Sequence, residues 1–502
     1  MRTRIGLVVL LSLLIALALP GLASAKGPAQ RITIVGPGLE GELEIVNDAA
    51  LLNALSMTML EDFMQPVDPP ARPAPGFEIT RFYEVNTGGY VPFDVVVYHP
   101  APEGEPGAIY YDGIVNGSSE YDGRWFRTNP KGEAALREAL AAHGANLDAV
   151  ATVTTPYLAL SGQGSRFRLI DLATLEPAVA WQIGASEVTL VRVTAAPRGD
   201  ALWVEALEGR GARGTLRLDL ASGRACLLKM PGEVVTAVPD GENLIVANWR
   251  DHAGGSGPSA ALDVRRAETL DLAAAIPVPG GHRATQHSPS PDGRQIATLH
   301  HGAGETWLGV FDTYTRKYVT DRRLATLSDG AMLRLAWDAA GGTIYVIDGQ
   351  RVYRFSTASL EFMPYQGFEL VDQDRAPLGG PGALFEIAGA RDGTLYLYRP
   401  AERDGGAGTG GIYVVRAVLG RLSQHLWPDL PLTQAIMHGE TIYALEAPNI
   451  AGDAALWALD LATGEGRRVT TLRKGEEMLS LVWLDPAAVP TTGDRVIRAG
   501  CN

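Results

Sequence analysis

HSPSPDGRQIATLHHGAGETWLGVFDTYT, residues His287 to Thr315, holds most of one repeating unit. A short strand leads into a Ser-Pro-Asp-Gly turn. A second strand follows over Gln295 to Leu299, then a Gly-rich reversal at Gly302 to Gly304. A third strand spans Trp307 to Asp312, and a Thr-Tyr-Thr turn leads to a fourth near Lys317 to Thr320. Pro and Asp-Gly preset the backbone angles of the first turn, and the Gly cluster serves the second. The unit therefore reads as a four-stranded antiparallel meander.

Variants of this unit run from about residue 149 to the end of the chain. Their landmarks are Phe167 to Asp171, Leu216 to Leu220, Leu244 to Asn248, Thr343 to Asp348, Thr394 to Tyr398 and Leu456 to Leu461. Recurrence at roughly 40 to 50 residues is the period of a propeller blade. A single thin sheet cannot bury both faces, and stacking around an axis solves that while leaving only short edges. The expected fold is mainly β: a seven-bladed β-propeller (six to eight) over residues 146–502, preceded by a small α+β module over residues 26–145. The pieces Leu270 to His282 and Leu370 to Phe385 are irregular. Met478 to Leu484 (MLSLVWL) is like Met332 to Trp337 (MLRLAW), so the last strand is expected to close the ring on the first unit.

The first 25 residues read as a secretory signal peptide. Arg2 and Arg4 precede an apolar run from Ile5 to Leu19, and Ala23-Ser24-Ala25 fits a small-x-small cleavage site. The run is shorter than the ~20 residues of a membrane span. In the module, Arg31 to Val35 and Phe93 to His99 read as strands. Asp48 reads as a helix cap ahead of Leu51, Leu52, Leu55, Met59 and Phe63, one apolar stripe. The Pro-rich run Gln65 to Gly76 is a spacer. Asn129-Pro130 starts a second helix that His143-Gly144 closes.

Pro-Asp-Gly ahead of an apolar strand, then Asp-Leu-Ala-Thr-Gly or a variant, resembles the YVTN/YncE-like and TolB/WD40-like bacterial secreted propellers. The matching phrases are Val238 to Trp249, Ser288 to Leu299 and Leu456 to Gly466, and the resemblance covers the repeat region alone. It implies a propeller in an extracytoplasmic setting. It implies no reaction, because function resides in sites and not in folds.

The formal charge of −14 becomes −16 once Arg2 and Arg4 are removed. That sign disfavours nucleic-acid backbones and anionic membrane surfaces. Cys226 and Cys501 either pair across the tail or stay separate. Metal-capable residues are densest at His282, His287, His300 and His301, with His252 upstream. Three or four converging imidazoles would suit a divalent metal. His300 and His301 are neighbours on a strand and so face opposite ways. The candidate metal set is therefore His282, His287 and His300, weighed against ordinary structural histidines, with no other cofactor expected. Asp112, Glu120 and Asp122 have oxygen ligands that suit Ca²⁺ but lack EF-hand spacing. Asp240, Asp292 and Asp392 read as turn caps, and Asn116-Gly117-Ser118 matches a glycosylation sequon. The chain carries no Gly-x-Ser-x-Gly elbow, Walker loop, His-Glu-x-x-His or Cys-x-x-Cys.

The resulting expectation is a secreted or periplasmic, monomeric, non-catalytic scaffold that binds a protein or small-molecule partner, with no catalytic residues. The alternative is a metal-assisted hydrolase of lactonase type with its site at the channel mouth.

Overall fold

The computed structural model describes residues 28–497 apart from 40, 68–75, 86–87, 103, 116–118, 146, 148–153, 164–165, 184–187, 197, 209–211, 229–231, 239–241, 249–259, 303, 325–332, 340, 350, 358–367, 379–383, 402–409, 417–420, 450–451 and 491–493. The chain divides into two compact units, one ending before Thr152 and one beginning there. The signal-peptide segment, Asp240, His252, the sequon and Cys501 lie outside the described residues, as does the side chain of Cys226.

The first unit is one seven-stranded antiparallel sheet with helices on it. Its strands are β1 (Arg31–Val35), β2 (Leu43–Ile45), β3 (Glu61–Pro66), β4 (Phe77–Glu84), β5 (Tyr90–His99), β6 (Ala108–Ile114) and β7 (Arg124–Thr128), in the spatial order β2-β1-β4-β5-β6-β7-β3. Asp48 caps α1 (Ala49–Ala54) by accepting from the Leu51 amide at 2.9 Å. Asn129 caps α3 (Pro130–Ala142), accepting from Lys131 N at 3.1 Å. Gly144 follows with a left-handed φ of 89°, a conformation costly to a side chain. The long stripe expected through Phe63 is not one helix. The first helix ends at Leu55, α2 (Met57–Leu60) makes one further turn, and Phe63 lies on β3. The reason is tertiary. Buried Arg81 donates to the Leu55 carbonyl at 3.3 Å and pairs with Glu61, the first residue of β3.

The second unit is a seven-bladed β-propeller. Six blades are four-stranded antiparallel sheets, and blade one has five strands. Innermost strands run over Glu476–Leu484 (blade one), Val188–Ala195 (two), Gly232–Ala237 (three), Arg283–Pro289 (four), Leu333–Trp337 (five), Glu386–Arg391 (six) and Leu432–His438 (seven). Each touches the innermost strand on either side, so the ring is closed. Closure uses the strand expected from sequence. Glu476–Leu484 pairs antiparallel with Thr155–Gly162, so blade one takes strands from both ends of the unit. A final strand, Asp494–Ile497, then adds in parallel to the outer strand Pro177–Ile183. The irregular stretch near Leu270 holds the outer strand of blade three, Leu272–Pro277. In blade five the outer strand shrinks to Phe368–Glu369.

The recurrent Asp phrases have one local cause. Asp171, Asp219, Asp312 and Asp460 each turn a carboxylate back onto amides two or three residues ahead, at 2.7–3.0 Å. Four residues after each Asp the backbone turns left-handed, at Leu175, Gly223, Arg316 and Gly464. Asp292 likewise caps its own turn, accepting from Ser290 Oγ at 2.6 Å and Arg294 N at 3.1 Å. Each of the seven blade seams holds its own apolar cluster, as between Ile296 and Phe311 of blade four and Val235, Ile245 and Val264 of blade three. Those clusters supply the burial that a lone sheet lacks.

Candidate functional site

The innermost strands share a β-bulge. In six of the seven the pairing register slips by one residue, as between Leu190 and Arg192 or between Ala284 and Gln286. A bulge re-aims the side chains that follow it. The residue just after the bulge is Arg192, Gln286 and Gln434 in blades two, four and seven, and each reaches the next blade. Arg192 pairs with Glu233, and Gln286 Nε2 donates to the Leu333 carbonyl. Gln434 Nε2 donates to Leu479 O at 3.0 Å and its Oε1 accepts from Leu479 N at 2.7 Å. In blade five Arg334 pairs with Glu386 of blade six at 2.6 Å. Ser480 Oγ accepts from Val193 N at 3.3 Å. Among the described residues, five of the seven seams are thus bridged by polar contacts between innermost strands.

The second residue after the bulge is apolar in blades one, two, three, six and seven: Leu479, Val193, Ala237, Ala390 and Ala435. In blade four it is His287. Burial, with the charge of Arg192 and the ring of His300 adding to it, lowers the His287 pKa to about 3. Its Nδ1 is buried and has no partner among the described residues.

His287 pairs in register with Thr298, Thr298 with Gly309, and Gly309 with Asp321. Register partners and residues two apart share a face, so His287, Thr298, His300 and Asp321 belong to one face of blade four. Ile296 and Phe311 of that face pack on blade three. His300 is fully buried. Its Nε2 lies 2.9 Å from Asp321 Oδ1, and its Nδ1 lies 3.2 Å from Nδ1 of His282. Because the carboxylate accepts, His300 carries its proton on Nε2, and its Nδ1 is then an acceptor for His282 Nδ1–H.

His282 is brought there by a tight turn, Pro279–Gly281, whose Gly280 and Gly281 have φ of 66° and 69°. The ring lies over Gly302, where a Cβ would stand 2.0 Å from His282 Cδ2, so only glycine fits. Trp307 flanks it with ring centroids 5.3 Å apart. His301 points away, 3.0 Å from Thr306 Oγ1, as adjacent strand residues must.

Of the three histidines singled out in the sequence, His282 and His300 meet directly, and His287 lies on the same face within electrostatic reach of His300. Asp321 had no signal in the sequence. Only strand register brings it there: Asp321 pairs with Gly309 and Gly309 with Thr298, two residues from His300 on the same face. Among the described residues no group of three or more His, Cys, Asp or Glu forms a metal-holding set. In the first unit, Asp122 accepts from Ser119 N at 2.8 Å and Ser119 Oγ at 2.6 Å, closing its own turn.

No protein-family model matches this chain, and no curated protein does. Solved structures similar to it include the periplasmic gluconolactonase PpgL of Pseudomonas aeruginosa, at 16% identity and a TM-score of 0.41, covering 66% of this chain and 99% of that one. The β-propeller domain of Cps50 (Swd1) from Myceliophteria thermophila follows at 16% and 0.39, covering 62% and 92%. The β-propeller domain of the Trilobed protease from Pyrococcus furiosus stands at 14% and 0.36, covering 56% and 82%. Likenesses of this size concern the class of fold, and no activity or partner passes from these proteins to this chain.

Proposed function

We propose that this chain is an extracytoplasmic, non-catalytic binding ring of the YVTN/YncE-like or TolB-like kind, released by cleavage after Ala25. One observation carries the reading. The polar groups of the innermost strands, Arg192, Glu233, Gln286, Arg334, Glu386 and Gln434, are engaged with neighbouring blades. Such a ring is stiff before it meets a ligand, and a preorganised surface loses little conformational freedom on binding. The acidic charge favours a protein or small-molecule partner over nucleic acid.

The test has two parts. N-terminal sequencing of the exported protein is expected to begin at Lys26. A photo-reactive residue at position 335, on the innermost strand of blade five, is expected to capture one stoichiometric partner from the extracytoplasmic fraction. Turnover of an ester or lactone by the purified protein, abolished by His282→Ala, would instead establish the second reading, a metal-assisted hydrolase. That reading draws on the Asp321–His300–His282 series.

A further inference from the structure

We propose that His282 and His300 of blade four are the two protein ligands of a divalent transition-metal site, with Asp321 as the carboxylate that orients His300. The site is the one the hydrolase reading draws on, but the inference concerns metal binding alone and stands whether or not the protein turns over a substrate. Three observations carry it.

The first is spacing. Zinc–nitrogen bonds of ~2.0–2.1 Å at tetrahedral angles set two ligand nitrogens about 3.3 Å apart. The two Nδ1 atoms are 3.2 Å apart. The second is the partner behind the ring. A ligating histidine commonly gives its other N–H to a carboxylate, which fixes the tautomer and strengthens the donor. Asp321 Oδ1 sits 2.9 Å from His300 Nε2, leaving the Nδ1 lone pair for a metal. The third is the setting. His300 is fully buried and held by its strand, whereas His282 is only partly covered and opens the site to solvent. Gly302 is kept bare by the His282 ring itself, so the pair is built into the backbone path.

Metal binding needs one rearrangement. The proton on His282 Nδ1 moves to His282 Nε2, which frees the Nδ1 lone pair for the metal. Two imidazoles suit a borderline ion, Zn²⁺ or Cu²⁺, and two coordination positions are left to water or a ligand group.

Zn²⁺ titrated into the full-length protein against a chromophoric chelator tests this. The expected result is one equivalent bound, lost in His282→Ala and weakened roughly ten- to a hundredfold in Asp321→Asn. His282 is partly exposed, so His282→Ala retains the fold even where His300→Ala does not. ¹⁵N NMR is expected to show the His282 proton shifting from Nδ1 to Nε2 on metal addition. Uptake of no Zn²⁺, or uptake unchanged by His282→Ala, overturns the proposal.

Discussion

The two units differ in how they group their charges. The first places charges in its centre. Arg81 is 2% exposed, and its Nε is 2.7 Å from Asp94 Oδ1 while its terminal nitrogens hold Glu61. Tyr111 adds its hydroxyl to Asp94 at 3.0 Å. Glu133 gathers Tyr98, Gly107 N and Thr128 in a second knot. The ring keeps its seams largely apolar. Its inner-margin charges Arg192, Glu233, Arg334 and Glu386 are partly solvated, and its buried charges stand in separate pairs, Arg168 with Glu476 and Arg265 with Asp263. Seven apolar seams are seven repeats of one solution, each tolerant of small change. A connected buried network of several charges depends on every member.

The largest expected effect lies in ring closure. Deleting residues 476–502 removes the innermost strand of blade one, its outer fifth strand and Glu476. That carboxylate meets Arg168 at 2.8 and 2.6 Å, and Arg168 also donates to Thr471 O of blade seven at 3.0 Å. The truncated ring is expected to lose its cooperative melting transition in calorimetry while the first unit still unfolds. A ring that melts as before would show that closure matters less than the seams.

Next comes Arg81→Met, which leaves Glu61 and Asp94 facing each other without a cation. Breaking a buried pair costs about 3–5 kcal/mol, read by urea unfolding of the first unit. Burial already pushes the Glu61 carboxyl up to about 7 against the pull of Arg81. The variant is therefore expected to recover part of its stability in mild acid, where that carboxyl is protonated. A loss equal to that of Arg334→Gln, in a partly solvated pair worth ~0–1 kcal/mol, would erase the contrast between the units.

His287 gives a pH-dependent test inside the ring. Its native pKa is lowered to about 3 from 6.5, so the native state stays neutral while the unfolded chain takes up a proton. Its contribution is fully present above pH 6.5. It is lost as pH falls toward 3, at about 1.4 kcal/mol per pH unit. His287→Leu, which restores the apolar type found at this position in five other blades, is expected to flatten the curve between those values. Identical pH profiles for the two proteins would refute the desolvation assigned to the His287 imidazole.

The smallest effect is at Arg316. It is exposed and left-handed (φ 55°) where equivalent turns carry Gly223 and Gly464. Arg316→Gly is expected to raise stability by about 0.5–1 kcal/mol through relief of backbone strain.

Much of this was legible in the chain itself. The Asp-Gly turns, the Asp-x-x-x-Gly phrases and the period of 40 to 50 residues are local signals, because turn geometry is set by the residues that form it. The caps Asp48 and Asn129 are legible for the same reason. The helix stripe through Phe63 misled, because Arg81, eighteen residues on, captures the Leu55 carbonyl and draws Glu61 into a strand.

What sequence alone determined is therefore the repeating unit, its handover from a small mixed module, and the histidine-rich character of one blade. What only the tertiary structure decided is which of those histidines meet. His300 reaches Asp321 across one intervening strand and His282 just before the start of the neighbouring strand, and a shift of one residue in register would send each to the other face. Pairing between strands belongs to the packed ring, so no local pattern could announce it.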